Sequence, residues 1–267
     1  MLDAFERGEH LPLSLTYHIR STDRAVLATL SGKIAQHIRQ QRYKQGFASE
    51  DVHFPGHIDL TFKGSAGQGF GVFLTEGLSV RLEGEANDSV CKSMSGGKVV
   101  IVPSRHARFT PETNAIIGNC ALYGATGGKL FVHGTAGDRF AVRNSGATAV
   151  VEGVGLHACE YMTNGLVVVL GKISPNFGAG MTGGKAYLYR ADSTLINHDY
   201  LTAVEMTPSD EQDLYMLLSE YLADTQSRTA ALLLEHWHRE KAHITKYLPI
   251  ALAKAVATAS AQAESLA

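Results

Sequence analysis

The sequence has little cysteine. Its 267 residues contain only three, Cys91, Cys120 and Cys159, which are too few and too far apart for a disulfide framework. No Cys-x-x-Cys pair indicates a metal site either. Because free thiols persist in reducing compartments, we expect a cytoplasmic protein.

An excess of charge of either sign is also absent. The formal net charge is −2 at pH 7, whereas nucleic-acid-binding domains usually carry a basic patch or a high pI. No apolar run approaches the roughly 20 residues of a membrane span, and the N-terminal stretch "MLDAFERGEHLPLSL" lacks the basic-then-apolar pattern of a signal peptide. We therefore expect neither a nucleic-acid partner nor a membrane partner.

Glycine, in contrast, is abundant and regularly spaced. Six apolar runs in the middle of the chain each follow a glycine, at intervals of 20, 31, 18, 19 and 19 residues. These leading glycines are Gly77, Gly97, Gly128, Gly146, Gly165 and Gly184. The interval of 31 is one period plus an excursion at 104–115. A weaker repeat at the start of the chain, with "TLSGK" at 29–33, would be the seventh.

A period near 19 residues is typical of a solenoid. Each unit contains a short β-branched run bounded by glycine, which indicates strands rather than pairs of helices. Strands stacked in parallel at about 4.8 Å per layer form a β-helix. The sequence therefore predicts a mainly β fold, a parallel β-helix of about seven coils.

The glycines have an architectural reason. Each coil turns a corner at the same place in every layer, where the backbone takes φ > 0 or approaches its neighbours too closely for a Cβ. We predict structural corners at Gly64, Gly67, Gly71, Gly97, Gly128, Gly146, Gly165 and Gly184. The stretch "GSAGQGFG" at 64–71 has an alternative interpretation as a phosphate loop, but it misses the GxGxxG spacing by one residue and no Lys-Ser/Thr pair follows.

The apolar runs also predict which side chains face inward. Two and four residues after a leading glycine lie residues such as Val99 and Ile101, which we expect inside the solenoid. The residue between each such pair points outward, yet it is apolar, as in Val100, Phe131, Val168 and Tyr187. An outward apolar row indicates a face covered by the chain's own C-terminal helices or by another protein. On the second alternative, Phe131, Val168 and Tyr187 are candidate partner contacts.

The sequence changes character after residue 196. We predict a solenoid over residues 1–196, with a lead-in at 1–19, and a helical extension over 197–267 that packs on the solenoid and closes its last coil. "TPSDEQDLYMLLSEYLADT" opens with a capping pattern at Thr207 to Glu211. Two further helical segments follow in "SRTAALLLEHWHREKAHI" and "PIALAKAVATASAQAESLA".

Few residues indicate chemistry. Arg139, Arg143 and Asn144 form the most polar cluster and are further candidate partner contacts, because they could hold an anion or a partner's carboxylate; a solvated corner is the alternative. His236 and His238 lie two residues apart on a helix and cannot chelate one ion. We therefore expect no catalytic, cofactor-binding or metal-binding residue on this chain.

The run "GDRFAVRNSGATAVVEGVGLHACEYMTNGLVVVLGKISPNFGAGMTGGKAYLY" at 137–189 closely resembles the C-terminal domain of the large subunit of glutamate synthase. "FKGSAGQGFGVFL", "LEGEANDSVCKSMSGGKVVIVP" and "AIIGNCALYGATGG" share this likeness. In that family the domain is a right-handed β-helix, in agreement with the period. The resemblance implies an enzyme that makes two glutamates from glutamine and 2-oxoglutarate, with its amidotransferase cysteine, FMN and iron–sulfur cluster in other domains.

For this chain the resemblance implies a non-catalytic scaffold in glutamate biosynthesis and nitrogen metabolism. It would brace a glutamine amidotransferase domain or chain against an FMN-binding synthase domain or chain. The alternatives are a free-standing subunit of a complex such as N-methylglutamate synthase, and a scaffold similar to the β-helical subunit of formylmethanofuran dehydrogenase. A rival of another class is a small-molecule-binding protein or enzyme with Arg139, Arg143 and Asn144 as anion ligands.

Overall fold

A computed structural model describes residues 12–44, 52–54 and 56–265, so the predicted lead-in before residue 12 lies outside the described residues. These residues form eleven strands and five α-helices. The strands are β1 (Pro12–Ile19), β2 (His57–Ala66), β3 (Leu78–Ala86), β4 (Ser95–Val102), β5 (Ala115–Ile117), β6 (Gly127–Ala136), β7 (Ser145–Val154), β8 (Asn164–Val169), β9 (Lys185–Tyr189), β10 (Leu201–Val204) and β11 (Ile244–Pro249). The helices are α1 (Ala28–Lys44), α2 (Pro208–Thr225), α3 (Arg228–Glu235), α4 (Trp237–Glu240) and α5 (Ile250–Ser265).

The strands wind into a parallel solenoid of about seven turns. β1, β2, β3, β4, β6, β7, β8 and β9 pair in parallel in that order. β5 follows the excursion, lies off this path and pairs with β3 and β6. The register places Val99 beside Leu130 and Leu130 beside Ala149, so the sequence period is the period of the coil. The predicted mainly β, parallel β-helix is confirmed.

The interior of the solenoid is filled by the predicted inward positions. Val99, Ile101, Leu130, Val132 and Val167 are all fully buried in one continuous core. Because side chains alternate along a strand, the two positions flanking each outward residue stack on their equivalents in the next layer. The sequence prediction of the inward face is confirmed.

The corners of the coils have an unusual backbone. In the coil after β6, Arg139, Ala141 and Arg143 have φ of 62°, 58° and 55°. The same alternation occurs in neighbouring coils at Ser89, Cys91 and Ser93, at Cys120, Leu122 and Gly124, and at His157, Cys159 and Tyr161. The N–H groups of Arg139 and Arg143 donate to carbonyls of the next coil at 2.7 and 2.9 Å, and that of Ala141 donates to the preceding coil at 2.8 Å. These bonds offset the left-handed strain, which costs about 1–3 kcal/mol per residue.

Two constraints act at the predicted corner glycines. At Gly97, φ is +77° and a Cβ would lie 2.6 Å from the Thr75 carbonyl oxygen. Gly146 has no positive φ, but a Cβ there would lie 2.1 Å from the Thr126 carbonyl oxygen. Positive φ also occurs at Gly64, Gly71, Gly128, Gly165 and Gly184, whereas Gly67, like Gly146, faces neighbouring carbonyls.

A ladder of side-chain oxygens runs along the same end of the coils. The Asp88 carboxylate accepts a hydrogen bond from the Asn119 N–H at 2.7 Å, and the Asn119 side-chain oxygen accepts from the Asp138 N–H at 2.8 Å. The Asp138 carboxylate accepts from the Leu156 N–H, also at 2.8 Å. Each side chain therefore satisfies a backbone donor of the following coil.

The outward apolar row is covered by the chain's own helices. Phe131 is 0% exposed, and its ring meets the Tyr221 ring of α2 edge to face with centroids 5.5 Å apart. Val168 and Tyr187 are buried in the same cluster, together with Leu214 of α2 and residues of α3. The prediction that Phe131, Val168 and Tyr187 contact a partner requires them at the surface, and the covering helices exclude this.

The first repeat differs from its sequence interpretation. "TLSGK" at 29–33 lies in α1 and does not form a corner. Ile34 and Ile38 are buried on one side of this helix, because apolar residues four apart share a helix face. The local helical period outweighs the likeness to the corner motif.

The C-terminal extension contains more than helices. β11 pairs antiparallel with both β9 and β10, so two short strands continue the sheet beyond the last parallel strand. The capping box of α2 uses Thr207 and Asp210, one residue before the predicted Glu211. The second predicted helix is interrupted at His236, which separates α3 from α4.

Candidate interaction surface

Helix α2 covers one face of the solenoid, and its buried carboxylate Asp210 bonds to the strands beneath it. Asp210 accepts hydrogen bonds from the Tyr187 hydroxyl at 2.7 Å and the Lys246 ammonium at 2.6 Å. Burial by itself would raise the pKa of the Asp210 carboxyl, but the hydrogen bonds from Lys246, Tyr187 and Thr207 outweigh it and hold the pKa well below its usual range. This carboxylate links α2 to β9 and β11.

A second buried carboxylate holds the far end of α2. Glu152 of β7 is 1% exposed and accepts hydrogen bonds from the Tyr221 hydroxyl at 2.7 Å and the Ser227 hydroxyl at 2.6 Å. At the rim, Lys129 donates to Glu220 at 2.6 Å. With its apolar and polar groups engaged, the helix-covered face is an internal contact of this chain.

The predicted cluster of Arg139, Arg143 and Asn144 is divided by the fold. Asn144 is fully buried, its side-chain oxygen accepts from the Ala147 N–H at 2.9 Å, and its amide donates to the Ala147 carbonyl at 2.9 Å. Asn144 therefore shapes the entry to β7 and is not at the surface. Arg139 and Arg143 are exposed at the first and third left-handed positions of their corner, where Arg139 lies 3.8 Å from Glu160.

The corners bring together residues that lie far apart in sequence. Backbone hydrogen bonds join Phe73 to Lys92, Ser93 to Tyr123, and Arg143 to Glu160, each across adjacent coils. The third corner position and the residue before it therefore form one row along the solenoid. We define the corner stripe as Phe73, Lys92, Tyr123, Arg143 and Tyr161.

The corner stripe alternates aromatic and cationic side chains. The Lys92 ammonium lies 5.4 Å from the centre of the Tyr123 ring, and the Arg143 guanidinium lies 6.0 Å from that of Tyr161. Phe73 and Tyr161 are 57% and 52% exposed. Aromatic and arginine side chains are the residues most enriched at binding hot spots. The stripe therefore has the composition of a protein-binding surface with a positive character.

Tyr161 lies against glycine in the following coil. A Cβ on Gly180 would lie 2.4 Å from its ring, so the ring packs against backbone that carries no side chain. The glycine at this corner thus positions an interaction side chain as well as turning the coil.

Sequence analysis identified Arg143 but missed the four other members of the stripe. Their signal was available, because Phe73, Arg143 and Tyr161 occupy the same point of their repeats, and Lys92 and Tyr123 lie one residue before that point. The glycine alignment emphasised the strand side of the repeat and left the corner side unaligned. Aligning both sides would have placed these residues in one row.

The cysteines offer little chemistry. Cys91 and Cys159 are fully buried, and burial raises the pKa of both thiols well above the usual range. Cys120 is partly exposed, and all three are free. Within the described ranges no three or more His, Cys, Asp or Glu side chains lie together so that they could hold a metal ion. His236 and His238 therefore belong to no such group. Every helix in those ranges is too short or too polar to span a bilayer.

Comparison with known proteins gives one family. The family described as the GXGXG motif matches residues 2–250. The chain is similar to the chloroplastic ferredoxin-dependent glutamate synthase of Spinacia oleracea, with 45% identity over 254 residues, or 94% of this chain and 14% of that protein.

Two further relatives give the same result. Ferredoxin-dependent glutamate synthase 2 of Synechocystis sp. is 47% identical over 226 residues, or 83% of this chain and 14% of that protein. The ferredoxin-dependent glutamate synthase of Pyropia yezoensis is 47% identical over 234 residues, with shares of 85% and 14%. The chain thus spans a small part of the length of these relatives and resembles a C-terminal segment of the large subunit.

Proposed function

The chain belongs to the GXGXG motif family, and from this premise we propose that it is a non-catalytic scaffold of a glutamate synthase-type flavoenzyme. It braces a glutamine amidotransferase domain or chain against an FMN-binding synthase domain or chain. The complete enzyme converts glutamine and 2-oxoglutarate into two glutamates in nitrogen metabolism. FMN and the iron–sulfur cluster are held by the partners.

The observation that carries this proposal is the corner stripe. A brace needs a rigid body with a separate contact surface, and the solenoid supplies a continuous core beneath exposed corners. Phe73 and Tyr161 expose large aromatic faces beside Arg143. Such side chains give contact area at a low cost in conformational entropy, because their backbone is already fixed. We propose that the stripe, rather than the helix-covered face, contacts a partner.

The geometry also favours a partner with carboxylates. Lys92 and Arg143 are exposed, and each lies over one aromatic ring of the stripe; a guanidinium binds a carboxylate through two parallel hydrogen bonds. The docking partner therefore carries Asp or Glu side chains between apolar groups.

The proposal is tested by substitution of the stripe within the assembled enzyme. Tyr161→Ala combined with Arg143→Ala removes one aromatic and one cationic member. We expect affinity for the rest of the enzyme to fall at least about thirtyfold, since single hot-spot residues contribute about 2 kcal/mol or more. Association is measured by analytical ultracentrifugation, and unfolding by urea titration.

The matched control is Tyr200→Ala, which removes a tyrosine of similar exposure, 45%, outside the corners. We expect it to bind its partners as the unsubstituted chain does. Equal binding by the stripe variant and this control would overturn the assignment of the surface.

We propose the cytoplasm as the location. The three free cysteines support a reducing compartment. Fractionation of the source cells with antibodies against the chain tests this, and recovery in an oxidising compartment or an organelle would contradict it.

A further inference from the structure

A cavity of about 450 Å³ lies where the excursion crosses the solenoid and approaches the end of α2. Its lining includes Arg81 and Glu83 of β3, Arg105 and Phe109 of the excursion, and His133 of β6. We define this cavity as the excursion pocket. Its volume is within the range of small-molecule sites, about 300–1,000 Å³.

On the β3 side of the pocket three cations lie around one acid, and two of them, Arg81 and Arg105, belong to the lining. Glu83 has the Lys63 ammonium at 3.6 Å and the Arg81 and Arg105 guanidinium groups at 3.7 Å each. All three distances exceed hydrogen-bond length, so one carboxylate faces three cations without engaging any of them closely. The donors of Arg105 in particular remain available to a second acceptor.

A buried imidazole also lines the pocket. His133 is 9% exposed, and its Nε2 lies 3.6 Å from a carboxylate oxygen of Glu112. Neither His133 Nε2 nor the two Glu112 oxygens, all buried, has a hydrogen-bond partner in the part of the chain that the structure describes. A buried polar group without a partner costs about 1–3 kcal/mol, so this pair lowers the stability of the folded chain.

We propose that the excursion pocket binds a small carboxylate anion. The planar carboxylate matches the fork of the Arg105 guanidinium, whose donors Glu83 leaves unengaged at 3.7 Å, and His133 lines the same cavity. The site is independent of the corner stripe and of the scaffold role, because it lies at the excursion and uses none of the stripe residues.

Isothermal titration calorimetry of the whole chain with glutarate tests this inference. Glutaramide, the uncharged diamide of the same length, is the ligand control. We expect glutarate to bind and glutaramide not to bind. Arg105→Ala weakens glutarate at least about tenfold, as expected for loss of a charged hydrogen bond. Arg105 has a side chain that is 84% exposed, so its substitution leaves the fold intact.

Arg108→Ala is the matched protein control, because Arg108 is an exposed arginine of the same excursion that does not line the pocket. It retains full affinity for glutarate. His133→Gln serves as the second variant and weakens glutarate without affecting the scaffold assay. Equal binding of glutarate and glutaramide, preference for inorganic phosphate, or unchanged affinity in Arg105→Ala would each overturn the proposal.

Discussion

At the residue scale, a solenoid corner can require glycine for two reasons, a positive φ or the close approach of backbone from a neighbouring coil. Gly97 combines both constraints, with φ of +77° and the Thr75 carbonyl 2.6 Å from the position of a Cβ. Gly32, in contrast, lies in α1 with nothing within 4 Å of that position. Glycine content alone therefore does not reveal which positions tolerate substitution.

Gly97→Ala is expected to destabilise the protein by about 2–4 kcal/mol, since it adds left-handed strain to a clash with backbone that cannot move freely. Gly32→Ala is the control and is expected to stabilise by about 0.5–1 kcal/mol through helix propensity. Urea unfolding followed by circular dichroism measures both. Similar free energies of unfolding for the two variants would contradict this assignment.

A pH dependence follows from Asp210. Its folded-state pKa lies below the ordinary value of 3.8, so the ionised carboxylate stabilises the fold fully above about pH 4–5, and this contribution is lost as the pH falls further. Asp210→Asn is expected to cost about 3 kcal/mol at pH 7, because it leaves Lys246 buried and unpaired. The cost shrinks as the pH falls below 4.

The control for this measurement is Asp213→Asn, which alters an exposed carboxylate of the same helix. Its effect is expected within about 0.5 kcal/mol at every pH. Stability is measured by urea titration from pH 7 to pH 3. A cost of Asp210→Asn that stays constant over this range would show that the charge is not involved.

The ladder of Asp88, Asn119 and Asp138 shows a limit of sequence reasoning at this scale. "GN" at 118–119 and "GD" at 137–138 share the repeat spacing, but such pairs are also ordinary turn signals. Their role depends on which backbone donor of the next coil comes within reach. That contact is set by the register between layers and cannot be read from one repeat.

At the element scale, the solenoid and the C-terminal helices share a buried apolar cluster. The row containing Phe131 and Tyr187 was predicted from alternation along the strands, and so was the need for a cover. The identity of the cover could not be predicted, because an apolar row has the same appearance under a helix of the same chain and under a partner. The hydrogen bonds of Asp210 and Glu152 identify the cover as the chain's own helices. They join residues 23 and 75 positions apart, which sequence patterns do not pair.

Phe131→Ala tests this arrangement. The ring is fully buried against Tyr221, so its loss is expected to cost about 3–5 kcal/mol. Tyr161→Ala removes an exposed ring and is expected to stay within about 0.5 kcal/mol. Chemical denaturation measures both free energies. Normal stability of Phe131→Ala with impaired partner binding would restore this face as the interaction surface.

At the scale of the whole molecule, the fold separates an internal face from an external one. The face under α2 and α3 is buried within the chain, whereas Phe73, Arg143 and Tyr161 at the corners are exposed to solvent. This division was only partly predictable, since the period located the coils but not the side of the coil that remains exposed. We therefore propose the corners, rather than the helix-covered face, as the surface that contacts a partner.

The central claim is that this chain works as part of a larger flavoenzyme. Native purification from the source cells, with absorbance at flavin wavelengths, mass spectrometry and a glutamine-dependent glutamate assay on the same fractions, tests it most directly. The account predicts that the chain, alone or within a longer polypeptide, co-purifies with FMN, an iron–sulfur cluster and the amidotransferase activity. Recovery of the chain in fractions without flavin and without this activity would contradict it.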